Sequence, residues 1–273
     1  MNLRLVVAGA AALLVAPATW AAPIFTTFEA AGANAAAITP ARDDFRTAVG
    51  GGTVAGANGS FGGLRREINW DGVGAAASDP NPFPGNTFQV RGSLFTTPGT
   101  GFLVSANAGG ATPPLFGFPN DFQAFSPQKL FTAVNSNITD VTFVVPGTNT
   151  TAATNSFAAV FVDVEVANLT RMEFFDASNA LIYSRDVLVG GNQGLSFLGA
   201  IADVGGSISR VRITSGLNTI VANGQLGNPN DDVVVMDDFL FGEPTATAPE
   251  PTSLALVGLG LLCGLTRFRR RQT

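Results

Sequence analysis

The sequence predicts an all-β, jelly-roll-like sandwich with one short N-terminal helix, flanked by an apolar helix at each end of the chain. Three observations carry this. Runs with a two-residue hydrophobic period recur at short intervals between residues 22 and 243, the period of a strand with one buried face. Clusters of Gly, Asn and Pro punctuate them, which is turn chemistry; the 273 residues include 32 Gly and 16 Pro. Charged residues make up only 13%, while 22 Phe supply apolar bulk for a large core. No interval repeats closely enough for a propeller or a solenoid.

Residues 1–21 read as a signal peptide for export by the Sec route. Arg4 supplies the positive start, residues 5–15 the apolar stretch, and residues 18–22 a zone of small side chains. Cutting after Ala21 leaves Thr19 and Ala21 where small residues are needed; cutting after Ala22 would put Trp20 at one of those positions and Pro23 just past the cut. The first strand then spans 22–29. A short helix opens at 39–46, with Thr39 as cap and Pro40 at the first helical position, and Gly50, Gly51 and Gly52 stop it. After "RREINWDGV" (65–73), turn signals dominate to about residue 87. Further strands are expected at 88–95, 101–106, 140–146, 157–166, 171–176, 181–189, 195–202, 210–214 and 233–241. The body is one domain, 22–243. Residues 244–248 form an extended linker, and 249–273 a separate tail.

Composition excludes several function classes. The formal net charge is -5, and without Arg4 and the four tail arginines the centre is near -10, which argues against nucleic acid as a partner. There is no His, and Cys263, the single cysteine, lies in the tail. A Ser-His-Asp or Cys-His device, a His-ligated metal and a disulfide are therefore unavailable to the body. A Ser-Lys device would need Lys129, the only lysine. Paired carboxylates such as Glu67, Asp163 and Glu165 could run glycoside hydrolysis, but any exported β protein carries some. The expectation is a protein that is not an enzyme.

Two candidate sites remain in the body. Residues 233–241 place Asp237 and Asp238 inside an apolar strand, where a bare carboxylate is costly. Strict alternation would set Asp237 with Val235, Phe239 and Phe241, and Asp238 with Met236 and Leu240. Such an acid needs hydrogen bonds or a cation. This strand resembles the closing strand of jelly-roll carbohydrate-binding modules, and Phe28-Glu29 resembles their first. The resemblance implies a structural calcium ion at Glu29, Asp237 and Asp238; the alternative is carboxylates tied to loop amides without metal. No cofactor is otherwise required. Trp70, in "EINWDG", is either a sugar-stacking platform with Arg65, Glu67 and Asp71 beside it or a core residue; a lone Trp in such a stretch is more often core. Asn58, Asn137, Asn149 and Asn168 stand in Asn-x-Ser/Thr sequons and read as turn and strand residues.

The tail holds Pro249-Glu250-Pro251, an apolar run at 254–265, and the cations Arg267, Arg269, Arg270 and Arg271. A helical span needs about 20 apolar residues, so this run suits a transient stay in the inner membrane, with the arginines held on the cytoplasmic side. The two prolines keep the preceding backbone extended, as a protease needs. The tail resembles the PEP-CTERM sorting signal of Gram-negative bacteria, also described as the ice-binding protein C-terminal domain; no regular Thr-x-Thr array suggests ice binding. The resemblance implies recognition by an exosortase, a membrane protease cutting near the Pro-Glu-Pro. It also implies an exported protein of the envelope or extracellular matrix, linked to polysaccharide. The expected role is structural or adhesive, with a surface-presented carbohydrate-binding module as the alternative and a glycoside hydrolase as the third.

Overall fold

A computed structural model describes residues 23–106, 115–203, 207–221, 225–226 and 232–247. The signal segment and the C-terminal apolar segment lie outside these residues. The chain begins with strand β1 (Phe25–Gly32), helix α1 (Ala35–Val49), β2 (Ser60–Phe61), β3 (Arg65–Ile68), β4 (Ser93–Thr96) and β5 (Gly101–Val104). It continues through β6 (Phe131–Val134), β7 (Ile138–Val144), β8 (Thr151–Ala153), β9 (Ser156–Val162), β10 (Arg171–Phe175) and β11 (Leu181–Asp186). The last strands are β12 (Leu195–Ala202), β13 (Arg210–Thr214), β14 (Ile220–Val221), β15 (Gln225–Leu226), β16 (Val235–Gly242) and β17 (Thr245–Ala246).

These strands form the two-sheet sandwich that the period-two runs predict. A 10-stranded sheet follows the order β1-β12-β9-β16-β6-β14-β15, with β3 also on β16, β2 on β3 and β5 on β6. A 7-stranded sheet follows β11-β10-β13-β7-β8-β17, with β4 also on β7. All pairings are antiparallel except the single bridge of β14 to β6. The first sheet is covered on both faces. Along β9, Phe157, Ala159 and Phe161 enter the core between the sheets, while Ala158, Val160 and Val162 pack on the other side, toward α1. That double burial makes β9 apolar throughout. On the second sheet, Met172, Phe174, Val211 and Ile213 point inward and Arg171, Glu173, Arg210 and Arg212 point outward. One side of the sandwich is closed by side chains: Phe25 stacks on Tyr183 at 4.5 Å, and Thr27 and Tyr183 share a 2.5 Å hydroxyl hydrogen bond.

The helix starts earlier than Thr39 and Pro40 suggest. Asn34 is the cap, its side chain accepting from the Ala36 amide at 3.1 Å, and Pro40 lies inside the helix. Thr39 instead donates its hydroxyl to the Ala35 carbonyl at 2.7 Å. The stop at Gly50 stands, with φ +90° that a side chain would resist. Phe45 anchors α1 edge-on to Phe28 and Phe197, and a Cβ on Gly199 would lie 2.7 Å from its ring, so β12 needs glycine there.

Other boundaries shift for local reasons. The stretch 88–95 is divided: Gly92 at φ +91° separates a 3-10 turn (Thr87–Arg91) from β4. The stretch 157–166 ends as a strand at Val162, because Asp163 adopts φ +72° and turns the chain. Val164 then joins the core between the sheets and Val166 faces solvent. Residues 244–248 are not wholly a linker: Thr245 pairs with Ala153 and Ala246 with Ala152.

Both ends of the described chain leave from one pole. Phe25 lies opposite Ala202, whose amide donates to Asn155, while Phe241 lies opposite Phe157 and Thr245 opposite Ala153. At the other pole, Gly32, Leu195, Val162 and Val235 are neighbours across the sheet.

Candidate functional site

The two aspartates of β16 sit in a β-bulge. Met236 pairs with Phe161 and Phe239 with Ala159, so three residues advance on β16 against two on β9. The extra residue breaks the alternation expected from the sequence. Met236, Phe239 and Phe241 share the core between the sheets, whereas Val235 and Leu240 pack toward α1. Both carboxylates reach the same loop. Asp237 Oδ2 accepts from the amides of Phe125 (2.6 Å) and Ser126 (3.2 Å). The Ser126 hydroxyl bridges Asp237 Oδ1 at 3.2 Å and Asp238 Oδ1 at 2.8 Å.

Burial dominates the electrostatics. Asp237 is fully buried and Asp238 is 4% exposed. Burial pushes the Asp237 carboxyl well above its usual range, and the adjacent Asp238 adds to this against the opposing Phe125 amide. Asp238 is also raised by burial, against the pull of the Ser126 hydroxyl and the Arg46 charge. Two adjacent buried carboxyls resist joint ionisation.

Beside them, an ion network fastens α1 to the sheet. Arg46 grips both carboxylate oxygens of Glu67 through Nε and Nη2 at 2.8 and 2.5 Å, and Arg65 Nε reaches the same carboxylate at 2.7 Å. The other donors of Arg65 cap the carbonyls of Arg46, Gly50 and Gly52 at the helix end. A cleft of about 440 Å³ opens above, lined by Asp43, Arg46, Phe61, Arg65 and Glu67. Its floor is occupied by groups already bonded to one another. Asp71 accepts from the amides of Gln128 (2.6 Å) and Lys129 (3.1 Å). The Lys129 ammonium donates to Ser78 Oγ at 2.7 Å and to the Val73 carbonyl, and burial lowers its pKa. This Ser-Lys contact is a sealed structural joint: Ser78 is 1% exposed and Lys129 2%.

The structure does not bring Glu29 to the aspartates. It lies two intervening strands away from β16 and is gripped by Arg185 at 2.9 and 2.5 Å. The three residues of the calcium expectation, Glu29, Asp237 and Asp238, are therefore not brought together. The nearest partners of the aspartates are N–H and O–H donors, whereas calcium requires six to eight oxygen lone pairs. Among the described residues, no three acidic side chains gather closely enough to hold an ion. The aspartate carboxylates are tied to the Phe125 and Ser126 amides and the Ser126 hydroxyl.

Trp70 is core and not a platform. It is 1% exposed, stacks on Phe131 at 4.0 Å, and meets Phe239 edge-on at 5.2 Å. Its Nε1–H donates to the Asp237 carbonyl at 2.8 Å, so the indole also pins the bulge. Asp163 stands at the far pole. Burial, with Glu165, Asp232 and Asp121 nearby, raises it to about 7, although the Gln193 amide donates to it at 2.7 Å. Sequence reasoning missed Arg46, Phe125 and Ser126. Arg46 carried a legible signal, being the helix arginine nearest the stop; the loop amides carried none, because any residue supplies an N–H.

Ala21, Ala22, Pro249, Glu250, Pro251, Arg267, Arg269, Arg270 and Arg271 lie outside the described residues. Residues 247–271 match the PEP-CTERM protein-sorting motif. The match begins at the residue after β17. The motif marks an exported protein sorted by an exosortase, a membrane protein, to the cell envelope or beyond. No curated protein and no solved structure matches the chain.

Proposed function

We propose that the sandwich is a non-enzymatic cargo with a structural or adhesive role in the envelope or extracellular matrix, among exported polysaccharide. The observation that carries this reading is the sorting motif set directly behind the folded body. Absence of catalysis is supported by the commitment of the candidate acids. Glu67 is held by two arginines, Asp237 by two amides and a hydroxyl, and Asp163 by an amide. Glu67 and Asp237 are thereby engaged by protein donors, and Asp163, 8% exposed, is largely closed to a substrate. Mass spectrometry of the mature protein from cells with and without the exosortase tests the sorting: the tail mass should be lost only where the protease is present. A full-length chain recovered from the cytosol in both strains would sink the proposal.

A second reading, a surface-presented carbohydrate-binding module, has one observation in its favour. The outer face of the 7-stranded sheet carries Phe175 under the Arg210 guanidinium at 3.7 Å, beside the Arg210–Asp140–Arg212 cluster. A flat aromatic and paired charges suit sugar rings and hydroxyls. Binding on a glycan array that disappears in Phe175→Ala would favour this reading; an empty array would remove it.

A further inference from the structure

We propose that β17 is a latch: it holds the root of the sorting segment on the sheet edge, and an exosortase gains that segment only after β17 leaves β8. The inference rests on the sorting reading above.

The spacing creates the conflict. Pro249-Glu250-Pro251 begins three residues beyond Ala246, the last residue of β17. Partners that take up an extended segment do so through its backbone groups. The backbone of Thr245 and Ala246 is already paired to Ala153 and Ala152. Reach adds a second constraint. Eight residue steps separate Ala246 from Leu254, where the apolar run begins, so the body stays within about 29 Å of the membrane while β17 is docked.

The latch is built to open locally. Both its residues are exposed, and it lies over a groove of about 480 Å³ lined by Leu64, Asn155 and Glu243 among others. Just before it the chain is fixed firmly. The Thr154 hydroxyl donates to the Gly242 carbonyl at 2.8 Å, and Arg66 grips the Glu243 carboxylate at 2.7 and 2.9 Å. Pro244 is buried against Gly92, so opening stops there and Thr245 begins the freed stretch. Release of residues 245–246 adds about 7 Å of reach without disturbing the core.

The test uses the full chain in cells that contain the exosortase. Thr245→Cys with Ala153→Cys joins directly opposed residues and locks the latch. Removal of the tail should slow about tenfold or more, since turnover follows the population of the released state. Reductant should restore it, and so should six Gly/Ser residues inserted after Ala246 in the locked chain. Thr245→Gly with Ala246→Gly, two exposed positions that the fold tolerates, should speed processing. A locked chain processed as fast as the unmodified one, or a glycine variant no faster than it, overturns the latch alone. An unmodified chain that is never processed overturns the sorting reading and the latch with it.

Discussion

Asp163 combines two unusual conditions in one side chain. Its backbone is left-handed at φ +72°, and its carboxyl is raised to about 7 by burial and by the nearby acids. Between pH values of about 4 and 7 the unfolded chain has released this proton while the folded chain keeps it. Stability is thus fully present below that window and falls as pH rises through it. Asp232, Asp237 and Asp238 are raised too, each chiefly by burial, and push the same way. Asp140 opposes them: burial would raise it, but the hydrogen bonds from Arg212 and Arg210 win and hold it low. Its contribution is lost only below about pH 4. The protein should melt higher at pH 5 than at pH 7.5. Asp163→Asn keeps an acceptor for the Gln193 amide, suits the left-handed backbone and cannot ionise. It should add about 1–2 kcal/mol at pH 7.5 and flatten the slope. Urea titrations at the two pH values check both; a steeper slope in the variant would contradict the account.

At the scale of elements, α1 depends on one arginine. Arg65 is 3% exposed, shares Glu67 with Arg46 and caps three carbonyls. Arg65→Ala takes these donors from the Gly50 and Gly52 carbonyls, while Glu67 keeps Arg46 and the Arg46 carbonyl keeps the Gly50 amide, and should cost about 1–3 kcal/mol in chemical denaturation. Arg65→Lys should recover less than half of that, because an ammonium cannot fork across several acceptors. The register of β16 tolerates loss of the bulge but not a slip. Deleting Asp238 would remove the extra residue and leave Phe239 opposite Ala159, two residues from Met236 and still on the core face. That deletion should keep cooperative unfolding, whereas one alanine inserted between Phe239 and Leu240 would exchange the faces of Leu240 and Phe241 and should abolish it. Calorimetry separates the two.

The same bulge marks the limit of what the sequence reveals. The strands at 195–202 and 210–214 emerge within the bounds expected, because turn residues flank them on both sides. β6 escapes notice: its four residues are buried on both faces, so no period shows. The aspartates were legible as buried acids that need partners, and the partners are N–H groups and a hydroxyl on a loop 111 residues away in sequence. Pairing across such a distance leaves no trace in local periodicity. The kinship suggested by Phe28-Glu29 did not extend to geometry, because strand order sets Glu29 at the sheet edge with Arg185.

For the whole molecule, the lack of a cluster of three acids among the described residues yields a thermal prediction. Chelator should leave the melting temperature of the folded body unchanged within about 1 °C, because each buried acid already has protein donors or repelling neighbours. A drop of several degrees on chelation, reversed by calcium, would show that the acids meet an ion. The placement of the two chain ends has a different consequence. The first and last described residues emerge at the same pole, near Ile24–Asp203 on one sheet and Thr245–Ala153 on the other. If, as proposed, the tail is held at the membrane before processing, the body has an up and a down. On that reading, what it presents outward comes from the opposite summit, where the exposed Asp121 and Glu165 give the crown a negative cast. A tag grafted onto that crown would stand clear of the lipid, whereas one grafted beside Thr245 would be pressed into it.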